Sequence, residues 1–228
     1  MHTAFKNDKL IICVKPAGMP SQPDPSKDTD MMTAASDYLK GLGESGDLWL
    51  VHRLDRVVGG LIIFARDRRT ASQLSALIST RDINKEYLAV IEGVPEQNSG
   101  EMRDLIYRDS VSAKAFIVKT RRTGVKEAFL EYSVLGSVDS GGKKLSLVRV
   151  RLGTGRFHQI RVQFSSRGFP IVGDGKYGSK DNRCLPALYA FRLSFNMPGS
   201  GEATDIVSYP DKNAYPWSLF QDELKNES

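Results

Sequence analysis

The chain is predicted to fold as a mixed α+β domain. Apolar strand-like runs recur along most of its length, as at LIICV (10–14), GLIIFA (60–65) and residues 86–92. Helical periodicity is confined to a few separated windows. A regular alternation of strand and helix, which a doubly wound parallel sheet requires, is missing. At 228 residues the chain suits one large domain or a domain of two lobes, and it can bury a sizeable core without metal or disulfide staples.

In chain order, LIICV reads as a strand, and KPAGMPSQPDPSKDTD after it is a proline-rich loop without periodicity. MMTAASDYLKGL (31–42) is a helix ended by Gly41 or Gly43, and LWLV (48–51) is a short buried strand. After the strand at 60–65, TASQLSALIS (70–79) places Ala71, Leu74, Leu77 and Ile78 on one helical face, with Thr70 and Gln73 as a capping box. Further strands are expected at 86–92, 113–119, 127–135, 145–152, 187–195 and 204–209. FHQIRVQFSSRG (157–168) fits a strand through Ile160, Val162 and Phe164, or a helix through Phe157, Ile160 and Phe164. The helix is preferred, because Arg167, Gly168 and Pro170 form a C-terminal stop signal. On it His158, Arg161 and Ser165 share a face, which brings Arg161 out at the edge of the core.

Lys and Arg outnumber Asp and Glu by 32 to 27, a formal charge of +5 and a pI near 9.1. That leans towards a polyanionic partner. Basic clusters occur at Arg66/Arg68/Arg69, Lys119/Arg121/Arg122 and Arg149/Arg151/Arg156. In 145–152, Arg149 and Arg151 alternate with Val148, Val150 and Leu152, giving a strand with one basic face that is either simply solvated or follows phosphates. Cys13 and Cys184 sit in no metal-binding or disulfide pattern and read as idle thiols. MHTAFKNDK is polar and resembles no signal peptide, so a cytoplasmic protein is expected, with no membrane partner and with a monomer as the default.

The segment VHRLDRVVGGLIIFARD (51–67) carries the strongest chemical signal. Asp55 lies between Arg53 and Arg56, just after an apolar strand. Uncompensated burial of a carboxylate costs several kcal/mol, so it needs a partner or a chemical task, and candidate partners lie in GRFHQIRV (155–162). GTGRFHQIR and GDGKYG are glycine-rich, but no strand, glycine loop and helix combine with a Lys-Ser/Thr pair, so they read as tight turns rather than an ATP site. His52, His158 and Asp55 lack metal-ligand spacing, and no metal is expected.

Segment 51–67 resembles the HRLD signature of the RluA-type pseudouridine synthases, the large-subunit RNA uridine synthases. KEYLAVIEG (85–93), GTGRFHQIRV (153–162), GFPIVGDGKYG (168–178) and the opening KPAGMP extend the resemblance over most of 8–197. It implies a mainly antiparallel bent central sheet with flanking helices around a catalytic cleft, in a single catalytic domain of two subdomains without the S4 RNA-binding domain of some relatives. It also implies isomerisation of uridine in structured rRNA or tRNA, without ATP, metal or redox cofactor and with no DNA partner. Asp55 falls on the family's catalytic aspartate, Tyr87 on the tyrosine that stacks on the target base, and Arg161 on the basic partner. Whether the carboxylate attacks C1′ or removes the C2′ proton stays open. His52, Arg53, Arg56, Arg156 and His158 are candidate RNA contacts, Arg53 as a brace for the gap left by an extruded base.

Two departures stand out. Val58-Gly59-Gly60 replaces the usual Thr-Ser-Gly, and Tyr189 stands where relatives often carry His. The lost hydroxyls leave a rival reading, a non-catalytic RNA-binding or ribosome-assembly protein that keeps the fold. A metal-dependent nuclease is a third, but a carboxylate cluster is missing.

Overall fold

The computed structural model describes residues 1–226. Its strands are β1 (His2–Lys6), β2 (Leu10–Lys15), β3 (Trp49–Leu50), β4 (Gly59–Ala65), β5 (Asn84–Glu92), β6 (Ser99–Asp109), β7 (Lys114–Val118), β8 (Val125–Ser140), β9 (Lys143–Leu152), β10 (Leu188–Asn196) and β11 (Ala203–Val207). The helices are α1 (Met31–Gly41), α2 (Arg68–Thr80), α3 (Gln159–Ser165) and α4 (Gln221–Asn226). The mixed α+β class expected from the sequence is what folds. The chain divides into two compact units, Met1–Lys85 with Ala190–Pro210, and Glu86–Tyr189 with the residues from Asp211 on. No helix among the described residues is long and apolar enough to cross a membrane.

In the first unit β1, β2 and β4 form an antiparallel ladder in which Leu10 faces Ala65 and Lys15 faces Gly60. Period-two alternation puts Leu10, Ile12, Leu61, Ile63 and Ala65 on one side, packed with Leu74 of α2 and with Leu193 and Phe195 of β10. The alternate residues Ile11, Cys13, Ile62 and Phe64 are also fully buried, so both faces are covered and the strands read as continuous apolar runs. Gly60 has φ +113, and a Cβ there would lie 2.2 Å from the carbonyl oxygen of Ala190. Only glycine fits, which fixes where the Asp55 loop enters β4. Helix α2 starts three residues before the expected capping box: Asp67 is the N-cap, accepting from Thr70 N at 2.8 Å and Thr70 Oγ1 at 2.6 Å.

In the second unit β5, β9, β8, β6 and β7 pair in that order, each pair antiparallel. Ile106, Ala115, Ala128, Val162 and Tyr177 form a small core beneath the β6/β7 end, with Ile117 and Phe157 against it. Helix α3 confirms the helical choice for 157–168 but is shorter. Gly168 at φ +82 ends the turn, with Gly168 N bonded to Ser165 O and Phe169 N to Phe164 O, the 5→2 and 6→1 pair of a glycine C-cap. His158 lies before the helix, in the left-handed region at φ 52, so it does not share the face assigned to it with Arg161 and Ser165. Arg161 is 4% exposed rather than emerging at a core edge.

The basic face expected on β9 is neutralised across the sheet. Arg149 pairs with Glu86 at 2.6 Å and Arg151 lies 3.9 Å from Glu131. Strands β1 and β6 carry no clear apolar alternation and were not anticipated.

Candidate active site

Asp55 sits in the loop between β3 and β4, in the first unit. The chain leaves the β3 ladder after Leu50, and His52 then substitutes for backbone: Ile63 N–H donates to His52 Nε2 at 3.2 Å. That acceptor role places the proton on Nδ1. Burial, with the charge of Lys85 adding to it, pushes the imidazole down to about 3, so His52 is neutral near physiological pH and holds the strand edge rather than a phosphate.

Four contacts hold the loop around Asp55. Ser21 Oγ accepts from Leu54 N at 3.1 Å and donates to Leu54 O at 2.8 Å. Gly18 N donates to Arg56 O at 2.8 Å. Val58 N closes the turn on Asp55 O at 2.9 Å. The fourth is Lys15, the last residue of β2 and fully buried, whose Nζ donates to Met19 O at 2.6 Å, Pro16 O at 3.0 Å and Arg56 O at 3.1 Å. The lost Thr-Ser hydroxyls are therefore not needed to fix this loop. Lys15 was not identified from the sequence. The signal present was a lysine ending an otherwise wholly apolar run, but three backbone carbonyls leave no side-chain pattern to read.

Burial lowers the Lys15 ammonium to about 8, an effect opposed by the charge of Asp55 and increased by that of Arg56. The cation beside Asp55 is present below that value and lost above it. Turnover is accordingly expected to fall above about pH 8, a limb that a kcat/KM profile against pH reads directly. Because the folded value lies below the unfolded one, the unfolded chain holds this proton longer, so the Lys15 contribution to stability rises with pH over the same window. Lost activity without lost stability is the signature to look for.

Arg56 is an exposed anchor of the 16–30 loop. Its Nε donates to Gly18 O at 3.0 Å, its Nη1 to Ser26 Oγ at 3.0 Å, and it pairs with Asp28. Arg53 is exposed, and among the described residues nothing pairs with it. Of the candidate residues in this unit, Arg53 alone presents an uncommitted cation.

The other candidates lie in the second unit. Tyr87, in β5, is 7% exposed. Arg161 forms a two-point pair with Asp174, Nε to Oδ2 at 2.7 Å and Nη2 to Oδ1 at 2.8 Å, both side chains nearly wholly buried. Asp174 comes from GDGKYG, read from the sequence as a tight turn only. The turn is real, since Gly173 has φ +84 and a Cβ there would lie 2.6 Å from Cys184 O. Its carboxylate, however, orients a guanidinium, and the Arg161 guanidinium carbon also sits 5.1 Å from the Tyr177 ring centroid.

His158 is buried and stacked on Phe157, with ring centroids 3.7 Å apart. Tyr177 Oη accepts from Ala115 N at 2.7 Å and shares a hydrogen bond with His158 Nδ1, 2.8 Å away. Desolvation, then the charges of Arg161, Lys176 and Arg108, push His158 down to about 3. Arg156 Nε donates to Glu127 O at 2.8 Å, and Gln159 Oε1 caps Arg156 N at 3.0 Å. Both histidines thus stay neutral when folded, while in the unfolded chain they protonate near 6.5. The unfolded state binds more protons between these values, so stability is expected to fall as pH drops below about 6.5. A lower urea midpoint at about pH 5 than at pH 7, restored in part by His158→Gln, checks this.

A sequence profile described as RNA pseudouridylate synthase matches residues 9–166. The chain belongs to this family. An uncharacterized RNA pseudouridine synthase of Aquifex aeolicus is 30% identical over 93% of this chain and 71% of its own length. Ribosomal large subunit pseudouridine synthase D of Zymomonas mobilis is 30% identical over 90% and 68%. Synthase C of Rickettsia conorii is 34% identical over 78% of this chain, which spans 56% of that relative. Among solved structures, human RNA pseudouridylate synthase domain containing 4 superposes with a TM-score of 0.76 at 23% identity, over 98% of this chain and 93% of the other. That likeness gives the pseudouridine synthase fold. Family members are isomerases acting on RNA.

Proposed function

We propose that this synthase is active and isomerises uridines of structured large-subunit rRNA through Asp55, acting as a cytoplasmic monomer, with tRNA as the alternative substrate. The observation that carries the reading is the loop around Asp55: a carboxylate in HRLD with a buried ammonium beside it, held by Ser21, Gly18 and Lys15. Tyr87 is the stacking residue for the target uracil, and Arg161, oriented by Asp174, is the buried basic residue of the QIRV segment on which activity depends. Arg53 fills the space left by the extruded base. His52 and His158 serve by positioning backbone and the Tyr177 hydroxyl, and Arg56 and Arg156 by holding loops beside the RNA.

The reaction balances without a co-reactant. The C1′–N1 bond breaks, the uracil turns, a C1′–C5 bond forms, and the C5 hydrogen leaves to water as N1 regains a proton. The rRNA assignment is supported by the large-subunit names of the Zymomonas and Rickettsia relatives. Against the non-catalytic rival stands the loop itself, which keeps its hold on Asp55 without the missing hydroxyls. The test is incubation with unmodified large-subunit rRNA and pooled tRNA transcripts, digestion to nucleosides, and chromatography. Pseudouridine appearing in the rRNA supports the assignment. Its appearance only in tRNA redirects the substrate, and its absence from both favours the binding protein.

A further inference from the structure

We infer that the outer face of the three-stranded arm β7-β6-β8 is a docking surface for RNA, with phosphates on its basic rim and an unstacked base on Phe116 and Tyr107. The inference rests on the RNA-acting reading above and extends it to a surface distinct from Asp55, Tyr87 and Arg161.

Charge is concentrated here. Residues 105–127 hold Arg108, Lys114, Lys119, Arg121, Arg122 and Lys126 against two acids, Asp109 and Glu127, and so carry +4. Several arginines elsewhere are matched within the fold, as in Arg149–Glu86, Arg167–Asp104 and Arg192–Asp205. In the arm Arg121 pairs with Glu127. Among the described residues no carboxylate forms an ion pair with Arg108, Lys114, Lys119, Arg122 or Lys126.

The register gives the face its second property. Tyr107 lies opposite Phe116 on β7 and Val125 on β8, and Leu105 lies opposite Val118, so these side chains share one side of the arm. The other side carries Ile106, Ala115 and Ile117 into the small core, with Arg108 opposite Ala115 and Lys126 opposite Ile106, so the cations of the outer face and its rim are Lys114, Lys119, Arg121 and Arg122. Phe116 is 42% exposed. The Arg122 guanidinium lies 4.8 Å from the Tyr107 ring centroid and Lys114 Nζ lies 5.8 Å from that of Phe116. An exposed Phe116 ring beside a half-buried Tyr107, flanked by unmatched cations, suits a polyanion that also carries flat apolar faces, which is the chemistry of RNA loops. The arm is also braced: Tyr177 Oη holds Ala115 N at 2.7 Å and Lys176 Nζ holds Ala113 O at 3.0 Å. Such a preformed surface loses little entropy on binding.

The test uses the full chain and a labelled, unmodified large-subunit rRNA transcript, with affinity measured across a salt series. Lys114→Ala/Lys119→Ala/Arg122→Ala is expected to weaken binding more than about tenfold and to lower the slope of log K against log salt by about 2. Phe116→Ala is expected to weaken binding about fivefold or more with the slope unchanged. A charge-matched control, Lys143→Ala/Lys144→Ala/Lys212→Ala, is expected to change it less than about twofold. Equal losses in the control and arm triples overturn the inference, as does Phe116→Ala binding like wild type, polyglutamate binding as tightly as the transcript, or no transcript binding at all. Because binding is read separately from turnover, a wild type that binds but forms no pseudouridine sinks the catalytic reading alone, and the arm is then decided by its variants.

Discussion

Asn in place of Asp55 is expected to remove pseudouridine formation, by at least about 10⁴-fold, while RNA affinity stays within about twofold. The amide keeps the shape of the carboxyl group but is neither a nucleophile nor a base at C1′ or C2′, so either route to glycosidic cleavage closes. The substitution has a second consequence. Asp55 favours the charged form of Lys15 against burial, so without it the Lys15 proton is shed at lower pH than about 8. The backbone ties at Leu54, Arg56 and Val58 do not involve the Asp55 carboxylate, and the variant should fold. A protein that only binds RNA would show no functional change.

Asp174→Asn is expected to produce the largest loss of stability and a loss of activity with it. Arg161 and Asp174 meet through two hydrogen bonds in a site where their side chains are 5% and 1% exposed. Breaking a buried pair from one side leaves a charge without its counter-ion, at about 3–5 kcal/mol, roughly 10 °C in Tm for a chain of this size. The Asn amide also turns a donor towards a guanidinium that can only donate. The paired change Arg161→Met with Asp174→Leu separates stability from function: apolar replacements restore much of the Tm and leave turnover absent. A double variant that recovers turnover would show the pair to be purely structural.

The parts of this fold that were legible are those buried on both sides. β2 and β4 announce themselves because every position is apolar, whereas β6 was hidden because only Met102 and Ile106 of its eleven residues are buried, among charges that face solvent. β1, half-exposed, was hidden for the same reason. At the site, HRLD and QIRV could be read as motifs, since their function depends on side-chain identity. The roles of Lys15 and Asp174 could not. Lys15 speaks to backbone carbonyls of three residues, and Asp174 reaches Arg161 across a turn and a loop with no helical or strand period connecting them. His158 was misplaced by one residue of helix, enough to move it from a surface face to a buried hydrogen bond with Tyr177.

Release of tritium from unmodified rRNA transcripts labelled at uridine C5 tests the central claim most directly, because forming the C1′–C5 bond must expel that hydrogen. Tritium appearing in water with wild type and not with Asp55→Asn, at matched RNA occupancy, is the predicted result. No release from transcripts that the wild-type protein demonstrably binds, or equal release by the variant, would contradict the assignment of catalysis to Asp55.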